Sequence, residues 1–203
     1  TFLEVILPFC NKFICHSKYA HSIISSAFKS IPCIPASSLI IDQTYDVSNY
    51  QPIYSNSEMT FGIFGHLSES KKVPHLLDSF AHIHKNFSLP FHIKLVTPDI
   101  SLVENKSSFR YLISKSLLSI FLKPSLIDLN NHLASVDYVF SLRYPTVGET
   151  SAIASKAIQL NKPLIVFPEG WFSEIKYPNA IFFDHSSSLI DQILFILNSP
   201  FQT

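Results

Sequence analysis

The sequence predicts an α/β fold: a doubly wound parallel sheet covered by helices on both faces, preceded by a partial N-terminal segment and a linker. Three observations carry this expectation. Short apolar, β-branched runs alternate with helical patterns over most of the chain. Hydrophobic residues make up 47% and aromatic residues 13% of 203 positions, enough to build a packed core rather than a disordered chain. No self-similarity appears at a period of about 20 to 50 residues, which argues against a solenoid.

The elements follow in order. "KFICHS" reads as a strand and "KYAHSIISSAF" as the helix after it, within Val5 to Ser30. "IPCIPA" carries two prolines, and Ser37 to Met59 is polar and irregular, a linker by composition. The expected boundary lies near Ser57, dividing the chain into residues 1–57 and 58–203. "TFGIF" then gives a short apolar strand ended by Gly65, followed by the polar turn "GHLSESKK". The next helix has Pro74 in its first turn and Leu76, Leu77, Phe80 and Ile83 at helical spacing. "FHIKLV" is the second strand, Phe109 to Leu118 a helix, and "SIFLK" the third strand. "PSLIDLNNHLAS" is a short helix opened by its proline, and "DYVFSL" is the fourth strand. Ser151 to Leu160 is helical and "PLIVF" the fifth strand. "WFSEI" makes a helical turn, "AIFF" a sixth short strand, and "SSLIDQILFILNS" a closing helix.

Composition excludes several function classes. Fifteen Lys and Arg balance fifteen Asp and Glu, so no basic field points to nucleic acid or an anionic membrane. No apolar run reaches the roughly 18 residues of a membrane span, and the start lacks the pattern of a signal peptide. Cys10, Cys15 and Cys33 are odd in number and form no CxxC pair, which suggests buried, reduced thiols and a cytoplasmic location. Neither GxGxxG nor GxxxxGK[ST] is present, so neither a dinucleotide fingerprint nor a P-loop is expected. No acidic DxD motif is present, and the histidines of "HSKYAH" and "HIH" lack metal-ligand spacing, so no metal is expected.

The four glycines are Gly62, Gly65, Gly148 and Gly170, and the last three each follow a predicted strand. In an open α/β sheet, ligands bind at the carboxyl ends of the strands. The stretch "SLRYPTVGETSAIASKA" therefore stands out: Gly148 and Glu149 lead into Thr150 and Ser151 at a helix start, where free N–H groups favour an anion. Either hydroxyl also suits a plain N-cap, and both roles can hold together. Lys71 and Lys72 lie at another helix N-terminus, where the dipole mildly disfavours a cation unless it reaches an anionic ligand.

These residues carry a family resemblance. "FGIFGHLSESKKVPHLLDSF" and "SVDYVFSLRYPTVGETSAIASKAIQLNKPLIVFPEGWFSEI" resemble the C-terminal, donor-binding half of a GT-B glycosyltransferase of the retaining family 4 type, with a Rossmann-like sheet. The match spans about Thr60 to Ser199. Upstream, "ICHSKYAHSII" and "IPCIP" resemble the end of the N-terminal acceptor domain and the crossover, most of that domain being absent. The resemblance implies transfer of a sugar from a nucleotide diphosphate sugar to a carbohydrate or glycoconjugate acceptor, without a further cofactor.

It also implies roles. Lys71 matches the lysine on the donor diphosphate, and Gly65 the turn facing the reaction centre. Glu149, with Gly148, Thr150 and Ser151, matches the loop beside donor sugar and phosphates, and Glu149 is the residue expected nearest the sugar. Arg143 matches the arginine of the signature, and Glu174 the glutamate after "GWF". Lys123 and Pro124 fall where the family contacts the nucleotide base. Departures exist: His66 stands where an arginine is usual, and Ala157 stands where a second glutamate would follow eight residues after Glu149. Those departures leave a degenerate, non-catalytic nucleotide- or partner-binding module as the alternative.

Overall fold

The structure, a computed structural model, describes residues 9, 13–27, 33–35 and 58–199. Of the linker expected over Ser37 to Met59, residues 37–57, with the boundary near Ser57, lie outside the described residues, whereas Met59 already pairs with Phe91 in the main sheet. Upstream, β1 (Phe13–Cys15) and β2 (Cys33–Pro35) form a parallel pair, and α1 (Lys18–Ala27) follows β1.

The main sheet has six parallel strands: β3 (Met59–Phe64), β4 (Phe91–Thr97), β5 (Leu118–Leu122), β6 (Tyr138–Phe140), β7 (Leu164–Val166) and β8 (Ala180–Phe182). They lie in the order β5-β4-β3-β6-β7-β8. The chain thus walks outward from β3 to β5, returns to the other side of β3 with β6, and walks outward again to β8. The order reverses between β3 and β6, the switch point at which open α/β sheets form a crevice beyond their strand ends. The helices are α2 (Val73–Phe87), α3 (Ser107–Ser114), α4 (Leu126–Ala134), α5 (Ala152–Gln159) and α6 (Leu189–Asn198). Among the described residues, no helix is long and apolar enough to cross a membrane.

Alternation along β3 divides the core. Phe61 and Ile63 join Phe80, Phe91 and Phe140 in the layer that includes α2, α3 and α6. Phe64 joins Val139, Leu164, Ala154 and Phe172 in the layer that includes α4 and α5. The aromatic rings of the first layer meet at centroid distances near those of favourable tilted pairs: Phe61–Phe80 at 5.1 Å and Phe80–Phe91 at 4.9 Å. Gly62 is explained by this packing. A Cβ there would stand 2.3 Å from the Phe64 ring and 3.0 Å from Val136.

Local chemistry sets the helix boundaries. Lys72, at φ 57°, caps α2 just before Pro74, and Ser88, also left-handed, closes it with its N–H on the His84 carbonyl. Two boundaries differ from the sequence expectation. The helix expected over 109–118 ends at Ser114, because Ser116 turns to φ 58° and Leu118 enters β5 as a buried strand residue. Pro124 does not open α4. It stands before Ser125, whose hydroxyl caps the helix by accepting from Asp128 N at 3.1 Å.

Candidate functional site

The site grows from the ends of β3 and β6, the two strands that flank the switch point. β3 ends at Phe64, and Gly65 turns the chain away with its N–H on the Val96 carbonyl at 2.9 Å. A 3-10 turn over Glu69–Lys71 returns the chain to α2. This brings the Lys71 ammonium back over the strand end, where it donates to the His66 carbonyl at 2.5 Å. His66 itself is exposed. Burial, reinforced by the Arg143 guanidinium, pushes the Lys71 ammonium down to about 8.

The second loop leaves β6 at Ser141 and reaches the N-terminus of α5. Ser151 caps that helix, accepting from Ala154 N at 3.2 Å, and its hydroxyl lies 3.2 Å from that of Ser141. Between them the chain folds around one carboxylate. Arg143 Nη1 donates to Glu149 Oε1 at 2.5 Å, Thr146 Oγ1 to Oε2 at 2.6 Å, and Val147 N to Oε2 at 3.0 Å. Partial burial, the largest influence on Glu149, acts to raise its pKa. The hydrogen bonds from Thr146, the backbone and Arg143, together with the guanidinium charge, outweigh it and hold the group at about 2. Glu149 is therefore a fixed anion near neutral pH, able to accept hydrogen bonds or offset positive charge but not to donate a proton.

Gly148 makes this loop possible. It sits at φ 88°, a region costly for any residue with a Cβ, and a Cβ there would lie 2.8 Å from Ala20 N and from the Tyr19 ring. Lys71, Ser141, Leu142, Ser151 and Ile153 line the cleft where the two loops meet, which has a volume of about 20 Å³. The enclosed part holds little more than a water, so any larger ligand must lie along its open side.

The structure thus brings Gly65, Lys71, Arg143, Gly148, Glu149, Thr150 and Ser151 to one end of the sheet around the switch point. His66 sits on the same turn as Gly65, with its carbonyl on Lys71, whereas Lys123, Pro124 and the Glu174 carboxylate have other surroundings. Lys123 and Pro124 follow β5, two strands from β3, beside the exposed side chains of Leu122, Leu126 and Ile127. Glu174 ends the 3-10 turn Gly170–Glu174, and its carboxylate accepts from Lys18 N at 3.1 Å and Tyr19 N at 2.8 Å. Sequence reasoning missed Thr146 and Ser17. Thr146 was legible as a hydroxyl three residues before Glu149. Ser17 carried no signal, because its partner is the Gly148 carbonyl, 131 residues away. Among the described residues, no group of three His, Cys, Asp or Glu could hold a metal ion.

No protein-family model and no curated protein matches this sequence. Solved structures do match its fold. The C-terminal domain of a glycosyl transferase group 1 family protein (LpcC) from Francisella tularensis superposes with a TM-score of 0.52 at 14% identity, over 69% of this chain and 75% of that one. The pneumococcal O-GlcNAc transferase GtfA, solved with UDP and GlcNAc, gives 0.64 at 13% identity, over 97% of this chain and 38% of that one. Anabaena Alr3699/HepE, solved with UDP and glucose, gives 0.61 at 16% identity, over 98% and 56%. The sheet domain has the fold of a GT-B C-terminal half. The chain spans little more than a third of GtfA and just over half of HepE.

Proposed function

We propose that this chain supplies the donor-binding half of a cytoplasmic glycosyltransferase. In this reading the enzyme moves a sugar from a nucleotide diphosphate sugar to a carbohydrate or glycoconjugate acceptor, with retention at the anomeric carbon. The observation that carries the reading is the convergence of Lys71 and the α5 N-terminus on one cleft at the switch point. A partly desolvated ammonium and free first-turn N–H groups are what a diphosphate leaving group requires as its charge grows. With its pKa lowered to about 8, Lys71 is still mostly protonated at neutral pH.

The roles then distribute along the strand ends. Lys71 bonds the diphosphate, with the backbone of Gly65, His66, Thr150 and Ser151 beside it. Glu149 is the residue nearest the donor sugar. As a fixed carboxylate it accepts sugar hydroxyls and offsets positive charge developing at the anomeric carbon. Arg143 holds Glu149 in place. Lys123 and Pro124, at the end of β5, meet the base. GtfA and HepE were each solved with UDP, which makes uracil the first base to test. Acceptor contacts fall to an N-terminal domain upstream of the sheet.

Calorimetric titration with UDP, GDP and ADP tests the reading. Binding of one diphosphate is expected, weakened about tenfold or more by Lys71→Ala, as befits a charge-assisted contact. Failure to bind any of the three overturns it.

A further inference from the structure

We infer that Ser17 and Glu174 are positioning residues: they clasp the N-terminus of α1 to the loop that carries Glu149, so the upstream segment helps to set where that carboxylate stands. The inference rests on the proposed donor role of the loop, and it gives Glu174 a different task from donor contact.

Four observations converge. The Ser17 hydroxyl is buried and acts in two directions, accepting from Ala20 N at 3.0 Å and donating to the Gly148 carbonyl at 2.5 Å. One group therefore caps α1 and grips the loop. Glu174 engages both carboxylate oxygens with the N–H groups of Lys18 and Tyr19. These are the first two residues of α1, whose N–H groups have no partner within the helix and favour a nearby anion. Gly148 leaves no clearance, since a Cβ there would also lie 2.9 Å from the Ser17 hydroxyl. The turn that carries Glu174 is itself seated on the loop. A Cβ on Gly170 would meet Thr146 at 2.8 Å and the Gly148 Cα at 3.2 Å.

The start of α1, the Gly170–Glu174 turn and the 146–148 stretch are consequently one packed unit. Glu149 is the next residue along the chain. A displacement of α1 pulls the Gly148 carbonyl through Ser17 and the adjoining turn through Glu174. The arrangement couples an element outside the sheet domain to the carboxylate at the strand ends, through hydrogen bonds with two named side chains.

The test uses the full chain with Glu174→Ala, Glu174→Gln and Ser17→Ala. Amide exchange at Gly148 and Glu149, UDP-glucose affinity by calorimetry, and the thermal unfolding midpoint are measured together. Glu174→Ala is expected to speed exchange at Gly148 and Glu149 and weaken UDP-glucose binding about tenfold, in line with loss of charge-assisted bonds. Glu174→Gln keeps an acceptor oxygen and should restore most of both. If Glu174→Ala lowers the unfolding midpoint of the whole protein, Ser17→Ala, which removes the Gly148 bond, provides the same readout. The inference is overturned if exchange at Gly148 and Glu149 stays at the native rate in both alanine variants, or if Gln rescues nothing. If the native chain binds no UDP-glucose, the donor reading fails, and the exchange comparison still decides the clasp.

Discussion

At Lys71, burial and a neighbouring guanidinium act in the same direction, and the result is a cation whose pKa of about 8 lies close to neutral pH. The consequence for binding is definite in sign. A diphosphate prefers the protonated form, so affinity for UDP is expected to fall as pH rises from 7 to 9 and to lose that dependence in Lys71→Met. Calorimetry at the two pH values, in buffers of different ionisation heat, reads both the affinity and the proton taken up; a flat profile in the native chain refutes the assignment. Glu149 works the other way. Its pKa in the folded chain, about 2, lies below its ordinary 4.5, so its interactions stabilise the fold above about 4.5 and that stability is lost as pH falls toward 2. Glu149→Gln should flatten the urea midpoint against pH across that window. An unchanged slope would mean the carboxylate is not held as the structure has it.

At the scale of elements, the loop from Ser141 to Ser151 is shaped by what surrounds it as much as by its own residues. Gly148→Ala places a Cβ both in a left-handed conformation and against Ala20 and Tyr19. A loss of about 1–3 kcal/mol in unfolding free energy is expected, measured by urea titration. A loss below half a kilocalorie would show that α1 lifts away rather than resisting. The elements themselves were largely legible. Each strand of the main sheet and each helix on it matches an apolar run or a helical spacing, because burial of one stripe or one face imposes that periodicity whatever the final topology. Two boundaries were not legible. Ser116 and Lys123 take positive φ without being glycine, and nothing in their side chains advertises a turn. Pro124 is compatible with a first helical turn or with the position before a cap, and only the hydroxyl of Ser125 decides between them.

For the whole molecule, both core layers draw on residues from Met59 onward, and among the residues whose side chains are described none of their buried members comes from α1 or the end of β1. We therefore propose residues 58–203 as a folding unit, with residues 1–57 as the end of an N-terminal domain and its linker. Expressed alone, 58–203 is expected to unfold in one cooperative transition by circular dichroism, with the 141–151 loop less protected from amide exchange than in the full chain. A non-cooperative melt would show that the upstream segment is needed for the core.

The sequence by itself determined the class of the molecule and the residues worth watching. Alternating apolar runs demand a layered α/β core, and a chain with few glycines reveals its special turns by where it keeps them. It also placed Lys71 and Glu149 at helix starts, a local property readable from spacing. Only the tertiary structure decided which strand ends are neighbours, because strand order follows from crossovers that leave no mark in local periodicity. It alone set Arg143 and Thr146 on Glu149. It alone turned Glu174 toward the start of α1, because a hydrogen bond across 155 residues is a fact of packing and not of pattern.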